Sequence, residues 1–252
     1  MTWYDVRMKI GLILFSALLA AAPCRAGDIV FGVSTGSAMP MTEFSNGTLT
    51  GGLLKEFGDA LARELHYTPY YVSLPRKRVE AALGGGQVDL LCDLRPEWLD
   101  EPGWLWSDAI FTNQQIVVSR ADMAPLKRLA DLRERRIGTI LGYRYPELDA
   151  ALGQYFVRDE AASDDLNLSK LLRHRFDYLL TNSLYFEYQL KDHAEYRQQH
   201  LRVFPVMSFD TYCALPLRGK LDRERLNKAI AALKKRGDIQ RMMEHFRLPA
   251  GP

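Results

Sequence analysis

Short apolar runs of strand length alternate with stretches of helical apolar spacing, and midway along the chain that alternation starts again. Ile29-Val30-Phe31-Gly32-Val33 reads as a first buried strand. Leu54, Phe57, Leu61 and Leu65 then recur at helical spacing, and a second strand is expected at Tyr70–Ser73. A helix from about Arg76 to Leu83 ends in Gly84-Gly85-Gly86, before a third strand at Val88–Cys92. The second round has strands at Ile116–Val118, Arg136–Ile140 and Tyr178–Leu180. Between them lie a short helix at Leu126–Leu132, a helix from about Pro146 and another at Leu166–Leu172. A strand at Tyr212–Leu217, a basic helix at Leu221–Lys235, a break at Gly237 and a last helix at Ile239–Phe246 close the chain. Strand-helix alternation builds parallel sheets covered by helices, so the fold class is α/β. Two units are expected, each of about 90 residues. No long Pro- or Ser-rich linker separates them, which implies a close hinge instead of a tether.

Ahead of the first strand, Arg7 and Lys9 precede an uncharged apolar run from Ile10 to Ala22, followed by Pro23-Cys24-Arg25-Ala26. A basic start, about a dozen apolar residues and small residues at a cut site compose a secretory signal peptide, expected over residues 1–26. The run falls short of the roughly 20 residues of a spanning helix. Of 33 basic and 31 acidic residues, cleavage after Ala26 removes Arg7, Lys9, Arg25 and Asp5, leaving 30 of each. A neutral exported protein offers no electrostatic case for binding nucleic acid. Three cysteines exclude a disulfide scaffold and a four-cysteine metal site. The five histidines are scattered without metal-ligand spacing, Gly84-Gly85-Gly86 lacks a following Gly-Lys-Ser/Thr, and no Gly-x-Ser-x-Gly occurs. No catalytic set, metal or cofactor is expected.

Several segments, in order, carry a resemblance. Met39-Pro40-Met41-Thr42-Glu43-Phe44 is similar to a proline-aromatic loop after a first strand, and Gly51-Gly52-Leu53-Leu54-Lys55-Glu56-Phe57 to a glycine-led helix entry. Gly86-Gln87-Val88-Asp89, Trp106-Ser107-Asp108, Leu129-Ala130-Asp131-Leu132, Ile137-Gly138 with Gly142, Arg175-Phe176-Asp177 and Leu226-Asn227-Lys228-Ala229-Ile230 follow. Together, from about Asp28 to Phe246, they resemble the family 3 periplasmic solute-binding proteins, the polar-amino-acid receptors of ABC importers. The resemblance implies a type II two-lobed fold with two parallel or mixed sheets, flanking helices and a hinge of two crossings. Lobe one would comprise 28–112 plus 213–248 and lobe two 116–210. It further implies a monomer that passes its solute to a membrane permease. Cys92 and Cys213 would both fall in lobe one near the hinge, as a disulfide or as separate buried thiols.

The chain departs from that family at the amino-acid clamp. Trp98, in Arg95-Pro96-Glu97-Trp98, stands at the place of an arginine that pairs with the α-carboxylate, and Arg95 is the only arginine from Cys92 to Ile110. Asn182 stands where an aspartate pairs with the ammonium; it keeps hydrogen bonding but loses the charge. Arg76 and Arg78 open a helix of lobe one, and Tyr143-Arg144 precede Pro146, a favoured first helical residue. The expected ligand residues are thus Ser34, Arg76, Arg78, Arg95, Trp98, Tyr143, Arg144 and Asn182. They would form an electropositive cleft for an anionic or amino-acid-like solute, with Trp98 and Tyr143 as flat walls. Alternatively, the arginines are solvated, or paired with nearby acids such as Glu80 and Glu147. Two other functions compete with the importer receptor: an exported cyclohexadienyl (prephenate or arogenate) dehydratase-like enzyme, and a ligand-binding partner of a membrane sensor.

Overall fold

A computed structural model describes residues 27–247; the expected signal segment, residues 1–26, lies outside them. Two five-stranded sheets organise the chain. In lobe one, β1 (Gly27–Ser34) runs parallel to β4 (Tyr67–Leu74) on one side and β5 (Leu90–Leu94) on the other. β12 (Tyr212–Leu215) pairs antiparallel with β5 and with the short edge strand β6 (Leu105–Trp106). A hairpin of β2 (Glu43–Ser45) and β3 (Thr48–Gly51) turns at Asn46-Gly47, both at positive φ, as a tight two-residue turn requires.

Helix α1 (Leu53–Leu65) buries Leu53, Phe57, Leu61 and Leu65, one apolar stripe at helical spacing. That stripe shares a core with Leu226, Ile230 and Leu233 of α7 (Arg223–Lys235) and Ile239, Met243 and Phe246 of α8 (Asp238–Phe246). The C-terminal helices thereby return to lobe one. Gly52 admits the chain to α1 at φ +93°, where a Cβ would lie 2.7 Å from the Met41 carbonyl oxygen, so only glycine fits. Between β4 and β5 the expected helix is divided into a 3-10 turn at Arg76–Arg78 and α2 (Val79–Gly84).

In lobe two, β7 (Thr112–Ser119) runs antiparallel to both the central strand β10 (Tyr178–Asn182) and the edge strand β11 (Arg202–Asp210). β10 runs parallel to β8 (Arg136–Ile140), and β8 to β9 (Val157–Ala161). The covering helices are α3 (Pro146–Leu152), α4 (Asp164–Leu172), α5 (Ser183–Asp192) and the one-turn α6 (Ala194–Arg197). The helix expected at Leu126–Leu132 is a single 3-10 turn, Leu129–Leu132. A Cβ on Gly138 would lie 2.2 Å from the Phe176 ring, so the ring packs directly on the strand backbone. Gly138→Ala is therefore expected to cost about 1–3 kcal/mol through overpacking. Urea unfolding would read this as a lower midpoint with an unchanged slope.

The two crossings form a paired ribbon. The Thr211 amide donates to the Phe111 carbonyl (2.9 Å), the Ile110 amide to that of Thr211 (2.7 Å), and the Ser107 amide to that of Cys213 (2.9 Å). Cys92 of β5 and Cys213 of β12 are joined by a disulfide, S–S 2.01 Å, just past the second crossing. No described helix is long and apolar enough to cross a membrane.

Candidate ligand-binding cleft

The carboxyl-terminal ends of β1, β5, β8 and β10 converge between the lobes, the place where open α/β sheets leave a crevice. A cavity of about 110 Å³ lies there, lined from both sides. Lobe one contributes Ser34 at the end of β1, Arg76, Asp93 in β5 and Trp98. Lobe two contributes Gln115 of β7, Tyr143 and Arg144 after β8, Asp164 at the start of α4, Asn182 ending β10, and Phe209.

The lobes touch across this cavity. The Tyr143 hydroxyl lies 3.2 Å from Ser37 Oγ and 3.4 Å from Ser34 Oγ, and the Asp164 amide donates to the Gly36 carbonyl at 3.4 Å. At the rim, Arg95 Nη1 donates to Glu147 Oε1 of α3 at 2.9 Å. The Arg95 guanidinium sits 5.7 Å from the Trp98 and Phe209 rings, which themselves meet edge-on at 5.1 Å. Arg144 donates to the Leu99 carbonyl (3.0 Å) and to Asp100 Oδ1 (2.7 Å). That second pair is solvent-exposed and contributes little; the Arg95–Glu147 pair is largely buried.

Six of the eight residues expected from sequence line the cavity: Ser34, Arg76, Trp98, Tyr143, Arg144 and Asn182. Arg78 is exposed and stands outside it, and so does Arg95, which is spent on the rim. Arg76 is buried, donates to the Trp98 carbonyl and lies 3.6 Å from Glu80. Two of the four expected arginines, Arg76 and Arg144, thus line the cleft, and each already meets a protein acceptor. Asn182 caps α5, its Oδ1 accepting from the Tyr185 amide (2.9 Å) and from Asn113 Nδ2 (3.1 Å).

Two carboxylates missed by the sequence reading face this space, one from each lobe. Asp164 is buried and accepts from Thr181 Oγ1 at 3.0 Å. Burial pushes its carboxyl up to about 7, with the Asp165 charge adding to the rise and the Thr181 bond opposing it. Asp93 holds a left-handed backbone, φ +61°, and is pushed up to about 7 by burial and by the charge of Asp164. Neither forms an ion pair with another described residue. Burial also raises the Tyr143 and Tyr145 phenols, which stay protonated. Two further polar atoms of the lining are buried without a partner, the acceptor Gln115 Oε1 and the donor Trp98 Nε1. Asp93 had a legible signal, a charge inside an otherwise apolar strand. Asp164 did not: acids in a first helical turn are ordinary.

Among protein families and curated proteins, nothing matches the chain. Solved structures do. An ancestral arginine-binding protein bound to arginine superposes with a TM-score of 0.73 at 19% identity, covering 88% of this chain and 99% of its own. An ancestral amino acid-binding protein, a precursor of cyclohexadienyl dehydratase, gives 0.71 at 19%, covering 88% and 96%. An amino acid ABC transporter substrate-binding protein from Streptococcus pneumoniae, bound to L-arginine, gives 0.71 at 17%, covering 87% and 94%. At these identities the likeness shows the fold, the two-lobed architecture of periplasmic binding proteins.

Proposed function

We propose that this chain is an exported solute-binding protein, a monomer whose lobes close on a small polar solute and present it to the membrane permease of an ABC importer. The observation that carries this reading is the cavity between the lobes, lined from both sides and spanned by hydrogen bonds between them. A solute held there is enclosed by closure about the ribbon hinge. The names of two structural neighbours, an arginine-binding protein and an amino acid ABC transporter substrate-binding protein bound to L-arginine, support it. A disulfide fits an oxidising compartment, and the apolar segment before Gly27 fits export to the periplasm. Ser34, Arg76, Trp98, Tyr143, Arg144 and Asn182 are proposed contacts of the solute, and Arg95 a residue of closure.

The test is thermal unfolding of the exported protein against amino acids, amines, dicarboxylates and aromatic acids, with X-ray scattering on whatever binds. A ligand at about 100 times its dissociation constant adds roughly 2.7 kcal/mol, enough to move the midpoint by several degrees. A binder that also reduces the radius of gyration supports the reading; no shift with any solute overturns it. Arg95→Ala removes the Glu147 pair and the contact with both rings, so ligand binding is expected to weaken about tenfold. Calorimetry would read the loss, and scattering a more open unliganded protein. Carboxyl groups held near neutrality also suit a general acid, which favours a dehydratase-like enzyme as the second reading. Conversion of prephenate to phenylpyruvate decides for it.

A further inference from the structure

We propose that the solute is an organic cation without an α-carboxylate, a primary amine or guanidine whose charged end sits between Asp93 of lobe one and Asp164 of lobe two, with its apolar body against Trp98, Tyr143 and Phe209. This inference rests on the solute-binding reading and gives its cleft a substrate class.

Set against one orphan donor of the lining, Trp98 Nε1, the unpaired acceptors of the cavity ask for a donor. Asp93 and Asp164 line it without an ion-pair partner among the described residues, and Gln115 Oε1, on a side chain only 6% exposed, lines it with no hydrogen-bond partner. An ammonium carries three N–H donors and one positive charge, and it satisfies two carboxylates and an amide oxygen at once. The apolar faces of Trp98, Tyr143 and Phe209 in the same lining suit the carbon body of an organic cation. A ligand carboxylate finds the opposite situation. Of the two lining guanidinium groups, buried Arg76 already meets Glu80 and the Trp98 carbonyl, while the more exposed Arg144 donates at the rim to the Leu99 carbonyl and Asp100.

The placement also couples binding to closure. Two buried like charges on opposite lobes repel when ionised, and a cation between them turns the repulsion into a bridge. The groups facing the pair are Arg76, Arg144, Tyr143, Tyr145, Thr181 and Asp165. With both phenols neutral and both arginines paired, the pair itself titrates near neutrality. A cation must displace its protons, so affinity falls as pH drops.

Calorimetry with matched probes tests this: agmatine against L-arginine, phenethylamine against L-phenylalanine, cadaverine against L-lysine. Each pair differs only by the α-carboxylate. For at least one pair the amine is expected to bind ten times tighter or more at pH 8, and more than tenfold weaker at pH 5.5. Asp93→Asn and Asp164→Asn should each lose at least tenfold while keeping the native circular dichroism spectrum. Amino acids binding as tightly as their amines, or binding confined to dicarboxylates, overturns the cation inference and leaves the solute-binding reading standing. Silence from every amine, amino acid and acid overturns both.

Discussion

Replacing Cys92 and Cys213 together by alanine is expected to remove about 3–5 kcal/mol of stability, lowering the unfolding midpoint by roughly 10 °C. The size follows from position in the chain. The two cysteines are 121 residues apart, so the bond closes a loop that contains all of lobe two. Breaking it returns a large loop entropy to the unfolded chain. In the folded chain the bond joins β5, the strand that carries Asp93, to β12, the first strand after the return crossing. Cys213 is fully buried there, and alanine leaves a cavity besides. Wild-type protein unfolded with a reductant should match the variant, and the reductant should leave the variant unchanged. A loss below about 1 kcal/mol would mean that the β5–β12 pairing and the α1–α7–α8 core hold the second crossing unaided.

The architecture was legible wherever burial is continuous. β1, β5, β8 and β10 are interior strands of their sheets with helices packed against them, and they read as apolar runs. Edge strands lack that signature. β9 reads Val157-Arg158-Asp159-Glu160-Ala161, and β11 carries Pro205 beside a register shift, so neither has the pattern of a buried strand. Helix α5 does have a start signal, since Asn182, expected as a ligand contact, is a favoured N-cap residue and its side chain starts the helix. The cleft was legible as a place but not as a charge. Sequence offers an arginine only its neighbours along the chain. Arg95 instead finds Glu147 in the other lobe, and Arg144 finds Asp100 there in turn. Glu80 and Glu147, named from sequence as alternative partners, are the acids that take up Arg76 and Arg95. With the arginines neutralised, the sign of the cavity passes to Asp93 and Asp164.

That change of sign has a consequence for the unliganded protein. Asp164→Asn is expected to stabilise the fold by on the order of 2–4 kcal/mol at pH 8, and Asp93→Asn, at a less completely buried carboxylate, by less. Both carboxyl groups are raised from the ordinary 3.8 to about 7. Between those limits the folded chain holds a proton that the unfolded chain has released. Each aspartate therefore favours the fold most below about pH 4, and that advantage drains away as pH rises through 7. Above 7 the folded protein carries two buried charges that water would solvate better, a penalty the amide lacks. The amide also keeps an oxygen for the Thr181 hydroxyl, so the 3.0 Å bond survives the substitution. Denaturant unfolding from pH 4 to pH 8 should show variant and wild type converging at the acid end and separating towards the basic end. A difference that stays flat with pH would mean that Asp164 ionises in the fold as easily as in water. The cleft would then hold no excess negative charge for a cation to relieve.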